Sequence, residues 1–184
     1  MIPSIILNSC IVVFALGAAA VHTRKSSIKI VLRFFTALSN LFCAAAALAV
    51  VICRLCGTLP PSVSILKFIG TAAVTVTLIT VFVFLGPNLG YWFLLKGPDF
   101  FLHLACPVLA IISCCLWDKT GLDLYAVILG ALPVILYGIL YLYKVVLKKS
   151  WDDFYGFNRH GKWPLSYIIM VAGAFLISWI LWVV

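Results

Sequence analysis

A hydroxyl, an imidazole and a side-chain amide at matching depth are the parts of an acyl-transfer site, and this chain places all three in apolar surroundings. Thr36, Ser39, Asn40 and Cys43 recur at i, i+3, i+4 and i+7, which puts them on one face of a helix. His103 is the only histidine inside an apolar run, whereas His22 and His160 fall in basic loops where solvation is the expected role. A threonine hydroxyl attacks a carbonyl only when a base takes its proton. Imidazole suits the task because its ordinary pKa of about 6.5 lets it take and return a proton near neutrality. Attack leaves an oxyanion, for which the amides of Asn40 and Asn88 are the candidate donors. No carboxylate falls inside an apolar run, and Asp99 lies one turn before His103 at the membrane surface. The expected chemistry is a Thr36–His103 dyad, alone or with Asp99 as a peripheral orienter. Ser39 is the competing hydroxyl.

Each residue also has a purely structural expectation. A membrane-embedded threonine bonds back to the carbonyl four residues earlier, here Leu32. His103, Asn40 and Asn88 would then only join helices. Pro107 removes the backbone bond to the His103 carbonyl, so a local kink alone could account for a polar residue there.

The elements that must position these groups are apolar spans. Of 184 residues, 65% are hydrophobic and 10% charged, with a mean hydropathy of +1.22, too little polar surface for a soluble domain. Apolar runs of about 20 residues, the length that crosses a hydrocarbon core, recur throughout. They cover 3–21, 30–53, 63–85, 99–117, 122–147 and 163–184, which predicts one all-α domain over 1–184, a six-transmembrane-helix bundle. The start Met1-Ile2-Pro3-Ser4 lacks a basic flank, so the first span reads as a retained helix and not a signal peptide. Gly86-Pro87-Asn88 breaks or kinks the third span, leaving 88–96 as its continuation or a short interfacial helix. The Ala-rich run 44–49 and the stretch Gly17 to Ala20 predict close contact between the first two helices.

The net charge of +8 comes from 13 Lys and Arg against 5 Asp. These cations flank spans without an aromatic-basic groove pattern, which excludes nucleic acid and points to lipid headgroups. The first, third and fifth loops carry ten of them, and Arg54, Lys67 and Lys119 are assigned to the second and fourth. This asymmetry predicts a cell-membrane protein with odd loops cytoplasmic and both termini external. Thr36, six residues into its span, and His103, four into its own, then lie roughly 9 and 6 Å deep in the inner leaflet.

Cys53, Cys56, Cys114 and Cys115 fall at the opposite side, where a disulfide or zinc site is the weaker alternative to small apolar side chains. No metal or organic cofactor is expected. The stretch Trp151-Asp152-Asp153-Phe154-Tyr155-Gly156-Phe157-Asn158 reads as interfacial anchoring or as a lid over the inner-leaflet site.

The phrase Phe35-Thr36-Ala37-Leu38-Ser39-Asn40-Leu41, followed by His103 and Pro107 at the head of the fourth span, resembles the androgen-induced protein and androgen-dependent TFPI-regulating protein family. Phe-Thr-x-x-Ser-Asn is closest in form to that family's bacterial six-span relatives. The animal members are threonine hydrolases of fatty acid esters of hydroxy fatty acids. The resemblance implies Thr36 as nucleophile, His103 as essential histidine, and a lipid or fatty-acyl ester substrate. The loops here are shorter than in the animal members, and Ser39-Asn40 departs from their pattern. The rival reading is a non-catalytic transporter or lipid-binding scaffold. Transport would favour an internal repeat with broken helices, and none is visible.

Overall fold

Buried hydrogen-bond accounting leaves an apolar run of this length one solution, a helix that satisfies its own backbone. The computed structural model describes residues 1–184 and contains six such helices and no strand. They are α1 (Ile2–Lys25), α2 (Phe35–Leu55), α3 (Pro61–Leu89), α4 (Pro98–Asp118), α5 (Tyr125–Leu147) and α6 (Trp163–Val183). All six are long and apolar enough to cross a membrane, so the chain is a multi-pass all-α membrane protein.

α3 is the centre of the bundle and packs against α2, α4, α5 and α6. Its residues from Gly70 to Thr77 are all buried, because small side chains on every face let four neighbours approach. α1 lies on the outside of α2 and α4. As expected, small residues make the first contact, but it is Ala15 with Ala44 and Ile11 with Ala47 that cluster while Gly17 meets nothing.

The end of the bundle that holds both termini is closed by a polar clamp. Asp118 is fully buried and accepts hydrogen bonds from Ser4 Oγ at 2.5 Å and Asn8 Nδ2 at 2.7 Å, with Arg54 3.7 Å away. Arg54 also donates to the Trp117 carbonyl, and Lys119 Nζ donates to the Leu181 and Trp182 carbonyls. Two expectations are corrected here. Asp118 belongs to the buried end of α4 and not to a solvated loop, so a carboxylate does lie within a span. Lys67 is not a loop cation either, since it lies inside α3 and is fully buried with Nζ unpartnered.

At the opposite end the helices depart from the expected boundaries. α1 runs on to Lys25, which brings His22 into its last turn. The second span is broken: a short turn over Ile28–Val31 is followed by a bend at 32–34, and α2 begins only at Phe35. Thr36 therefore stands in the first turn of its helix and not six residues deep. Pro87 does not end α3, because a wide π turn at Val81–Leu85 absorbs the lost backbone donor and the helix reaches Leu89.

Candidate functional site

The break before Phe35 decides what Thr36 can do. A helix that starts there leaves its first amides without intrahelical acceptors. The Phe35 N–H is taken by the Tyr155 hydroxyl at 3.0 Å, while the Thr36 N–H finds no backbone acceptor. Leu32 lies in the bend, so the back-bond expected of a membrane threonine has no carbonyl in register. The Thr36 side chain is left to line a cavity.

His103 is set by a different device. It sits on a π turn, Phe101–Ala105, directly before Pro107, and is buried. After α3 the chain turns at Gly90, whose φ of 89° only glycine adopts without strain, and forms a short helix over Tyr91–Leu94. That helix folds back on α3, with Tyr91 Oη donating to the Phe82 carbonyl at 2.9 Å and its ring against Gly86. A Cβ on residue 86 would stand 2.1 Å from that ring, so glycine is required there too. The result carries the Leu94 carbonyl to 2.6 Å from His103 Nδ1. A carbonyl only accepts, so Nδ1 carries the proton and Nε2 keeps the basic lone pair.

Thr36 and His103 line one cavity of about 340 Å³, together with Ala37, Leu102, Leu94 and Tyr155. The same cavity reaches His22 and Asp99 at its mouth, where His22 Nε2 and Asp99 Oδ1 lie 3.0 Å apart. Asp99 thus pairs with His22, not with His103, and the Leu94 carbonyl occupies the place an orienting carboxylate would have.

The other predicted residues go elsewhere. Asn40 Nδ2 donates to the Thr36 carbonyl at 2.8 Å and the Leu102 carbonyl at 3.0 Å, spending both amide hydrogens. It straps α2 to α4 beside the site and does not point a donor into it. Asn88 is exposed, donates to the Phe84 carbonyl at 2.6 Å, and lines a separate cleft with Asp153 and Arg159. Ser39 is buried against Thr77 Oγ1 at 3.1 Å and donates to the Thr36 carbonyl at 3.2 Å, away from His103. Thr71, Thr75 and Thr77 bond back to the carbonyls four residues earlier along α3. Cys53, Cys56, Cys114 and Cys115 are free thiols, and no three metal-ligating side chains gather anywhere.

One contributor escaped the sequence reading and a second came from the weaker of two alternatives. His22 was assigned to a solvated loop, and only the longer α1 brings it to the cavity mouth. Tyr155 lies in the 148–162 stretch, read as interfacial anchoring or a lid, and it folds inward so that Tyr155 lines the cavity. Phe154 stacks near Phe34, and Tyr155 packs on Tyr141 and Phe157. Asp153 ties the loop down by accepting from Tyr141 Oη at 2.7 Å and the Asn158 N–H at 3.0 Å. Burial pushes the Tyr155 hydroxyl pKa up, opposed by hydrogen bonding from Phe35 and Thr36, so the group stays protonated. The density of aromatics in 151–157 was the one available signal.

No family model, characterised protein or solved structure matches this chain.

Proposed function

We propose that the protein is an intramembrane hydrolase of lipid carboxylic esters, with Thr36 as nucleophile and His103 as general base. The observation that carries the reading is that both side chains line one cavity, with the His103 tautomer fixed so that Nε2 is the acceptor. The threonine-hydrolase resemblance of Phe35–Leu41 and His103 supports the same pair. In the first step Thr36 Oγ1 bonds to the ester carbonyl carbon and its proton passes to Nε2. Collapse breaks the carbon–alkoxy bond, and Nε2 returns the proton to the leaving alcohol. Water then attacks the acyl-threonine, gives a proton to Nε2, and releases the acid as Oγ1 is reprotonated. Eleven of the sixteen cavity residues are hydrophobic, which suits a fatty-acyl chain.

In a cell membrane with both termini external, the cavity opens toward the inner leaflet, from which substrate diffuses laterally and into which cytoplasmic water reaches. No cofactor takes part in this scheme.

The test is covalent labelling of purified protein by a fatty-chain fluorophosphonate, with the modified residue mapped by mass spectrometry. Labelling at Thr36 that is lost in Thr36→Ala and His103→Ala is expected. Equal labelling of Thr36→Ala and the parent would remove the reading and leave a non-catalytic membrane protein.

A further inference from the structure

Carbonyl attack needs a donor where negative charge develops, and neither asparagine supplies one. Asn40 has spent both hydrogens on carbonyls, and Asn88 faces another cleft. Around Thr36, one side-chain donor is placed to serve. Tyr155 lines the same cavity as Thr36 and His103. Its oxygen already accepts from the Phe35 N–H at 3.0 Å, which fixes the hydroxyl at the head of α2 next to Thr36. The neighbouring Tyr137 hydroxyl spends its proton on the Arg33 carbonyl at 2.6 Å, so it does not compete as a donor. The Tyr155 proton is thus shared between the Tyr137 oxygen and Thr36 Oγ1, and an oxygen bound beside Thr36 competes for it. The Thr36 N–H, without a backbone acceptor, is directed at the same Tyr155 oxygen and holds the hydroxyl in place from behind.

We propose that the Tyr155 hydroxyl is the oxyanion donor of this site. The inference rests on the Thr36–His103 reading. As Oγ1 bonds to the carbonyl carbon, the π pair moves onto the carbonyl oxygen, and the Tyr155 O–H hydrogen-bonds that charge. No proton leaves Tyr155. When the carbonyl re-forms and the alkoxy bond breaks, that hydrogen bond weakens again. Because Tyr155 belongs to the 148–162 loop, the site is complete only with that loop docked.

The experiment is Tyr155→Phe in the full chain, purified in detergent, which keeps the ring packing and removes only the hydroxyl. Loss of a single oxyanion donor lowers kcat by about 10²–10³ with little change in KM. A trifluoromethyl ketone analogue, which adds Thr36 to form a charged tetrahedral adduct, should lose affinity by the same factor. The matching methyl ketone, which binds as a ground-state mimic, should not. Tyr137→Phe, which removes the adjacent hydroxyl, should cost far less. If Tyr155→Phe keeps the parent kcat, or weakens both ketones alike, Tyr155 is packing only. Should that variant not fold, 3,5-difluorotyrosine at 155 keeps the hydroxyl but makes it ionise earlier. It then moves the alkaline loss of kcat to lower pH, and an unmoved profile overturns the proposal. A parent protein that neither hydrolyses esters nor labels at Thr36 removes the underlying reading, and this inference with it.

Discussion

The Leu94 carbonyl lies 2.6 Å from Nδ1 of His103, and it gets there only because the chain reverses at Gly90 with φ of 89°. An uncharged acceptor thus does the orienting that a carboxylate does in a catalytic triad, in a place where a buried charge would be costly.

Gly90→Ala should therefore impair catalysis without touching the cavity. A side chain at that φ costs about 1–3 kcal/mol, and relaxing it withdraws the Leu94 carbonyl. The expected result is a fall in kcat and in phosphonate labelling of Thr36 with only a modest loss of thermal stability. Trp92→Ala, in the same loop but exposed, should leave the rate unchanged.

Asn40 is predicted to matter for assembly of the site and not for charge stabilisation. Asn40→Ala frees the Leu102 carbonyl and takes one donor from the Thr36 carbonyl, which Ser39 Oγ still holds. Leaving such a buried carbonyl unsatisfied costs about 1–3 kcal/mol. Thermal unfolding in detergent should show the loss. Residual kcat in the folded fraction should exceed that of His103→Ala.

The six spans were legible because apolar length needs no tertiary information, and the same count set Thr36 and His103 at one end of the bundle, although the depth it gave Thr36 did not hold. What was not legible depended on breaks and long-range partners. No pattern of residues 30–36 announces that the helix restarts at Phe35, yet that restart deprives Thr36 of its Leu32 back-bond. Asp118 looked like a loop residue because its partners Ser4 and Asn8 stand 114 and 110 residues away. Lys67 looked like an interfacial cation because only its neighbours reveal that it is buried. Ser4 and Asn8, polar and one turn apart in an otherwise apolar run, were the missed hint.

Asp118→Ala is expected to be strongly destabilising and Asp118→Asn less so. Alanine removes the acceptor of Ser4 and Asn8 and leaves Arg54 half-buried without its carboxylate. Breaking one partner of a buried set costs about 3–5 kcal/mol in the extreme case. Denaturation in detergent should rank parent, Asn and Ala in that order. The clamp is at the far end from Thr36, so hydrolysis by the folded fraction should persist.

The cation asymmetry sharpens once Lys67 is counted as buried, since the second and fourth loops then hold only Arg54 and Lys119. Odd loops in the cytoplasm remain the expectation. Trypsin should cut at Lys148 or Lys149 in inverted vesicles and not in intact cells. Cleavage from outside intact cells would reverse the orientation.

The contrast between Thr36 and Ser39 is the sharpest test of the nucleophile. The two hydroxyls stand one turn apart on α2, so sequence alone leaves both open. Thr36 lines the His103 cavity, whereas Ser39 is buried against Thr77 and bonds the Thr36 carbonyl. Thr36→Ala removes the attacking oxygen and should abolish hydrolysis, because a base without its nucleophile loses most of the covalent route. Thr36→Ser keeps a hydroxyl at the head of α2 beside Tyr155 and should retain measurable kcat. Ser39→Ala loses one buried hydrogen bond, about 1 kcal/mol of stability, with kcat close to the parent. Rates and unfolding curves for all three variants separate folding from chemistry. Activity retained by Thr36→Ala but abolished by Ser39→Ala would move the nucleophile to Ser39.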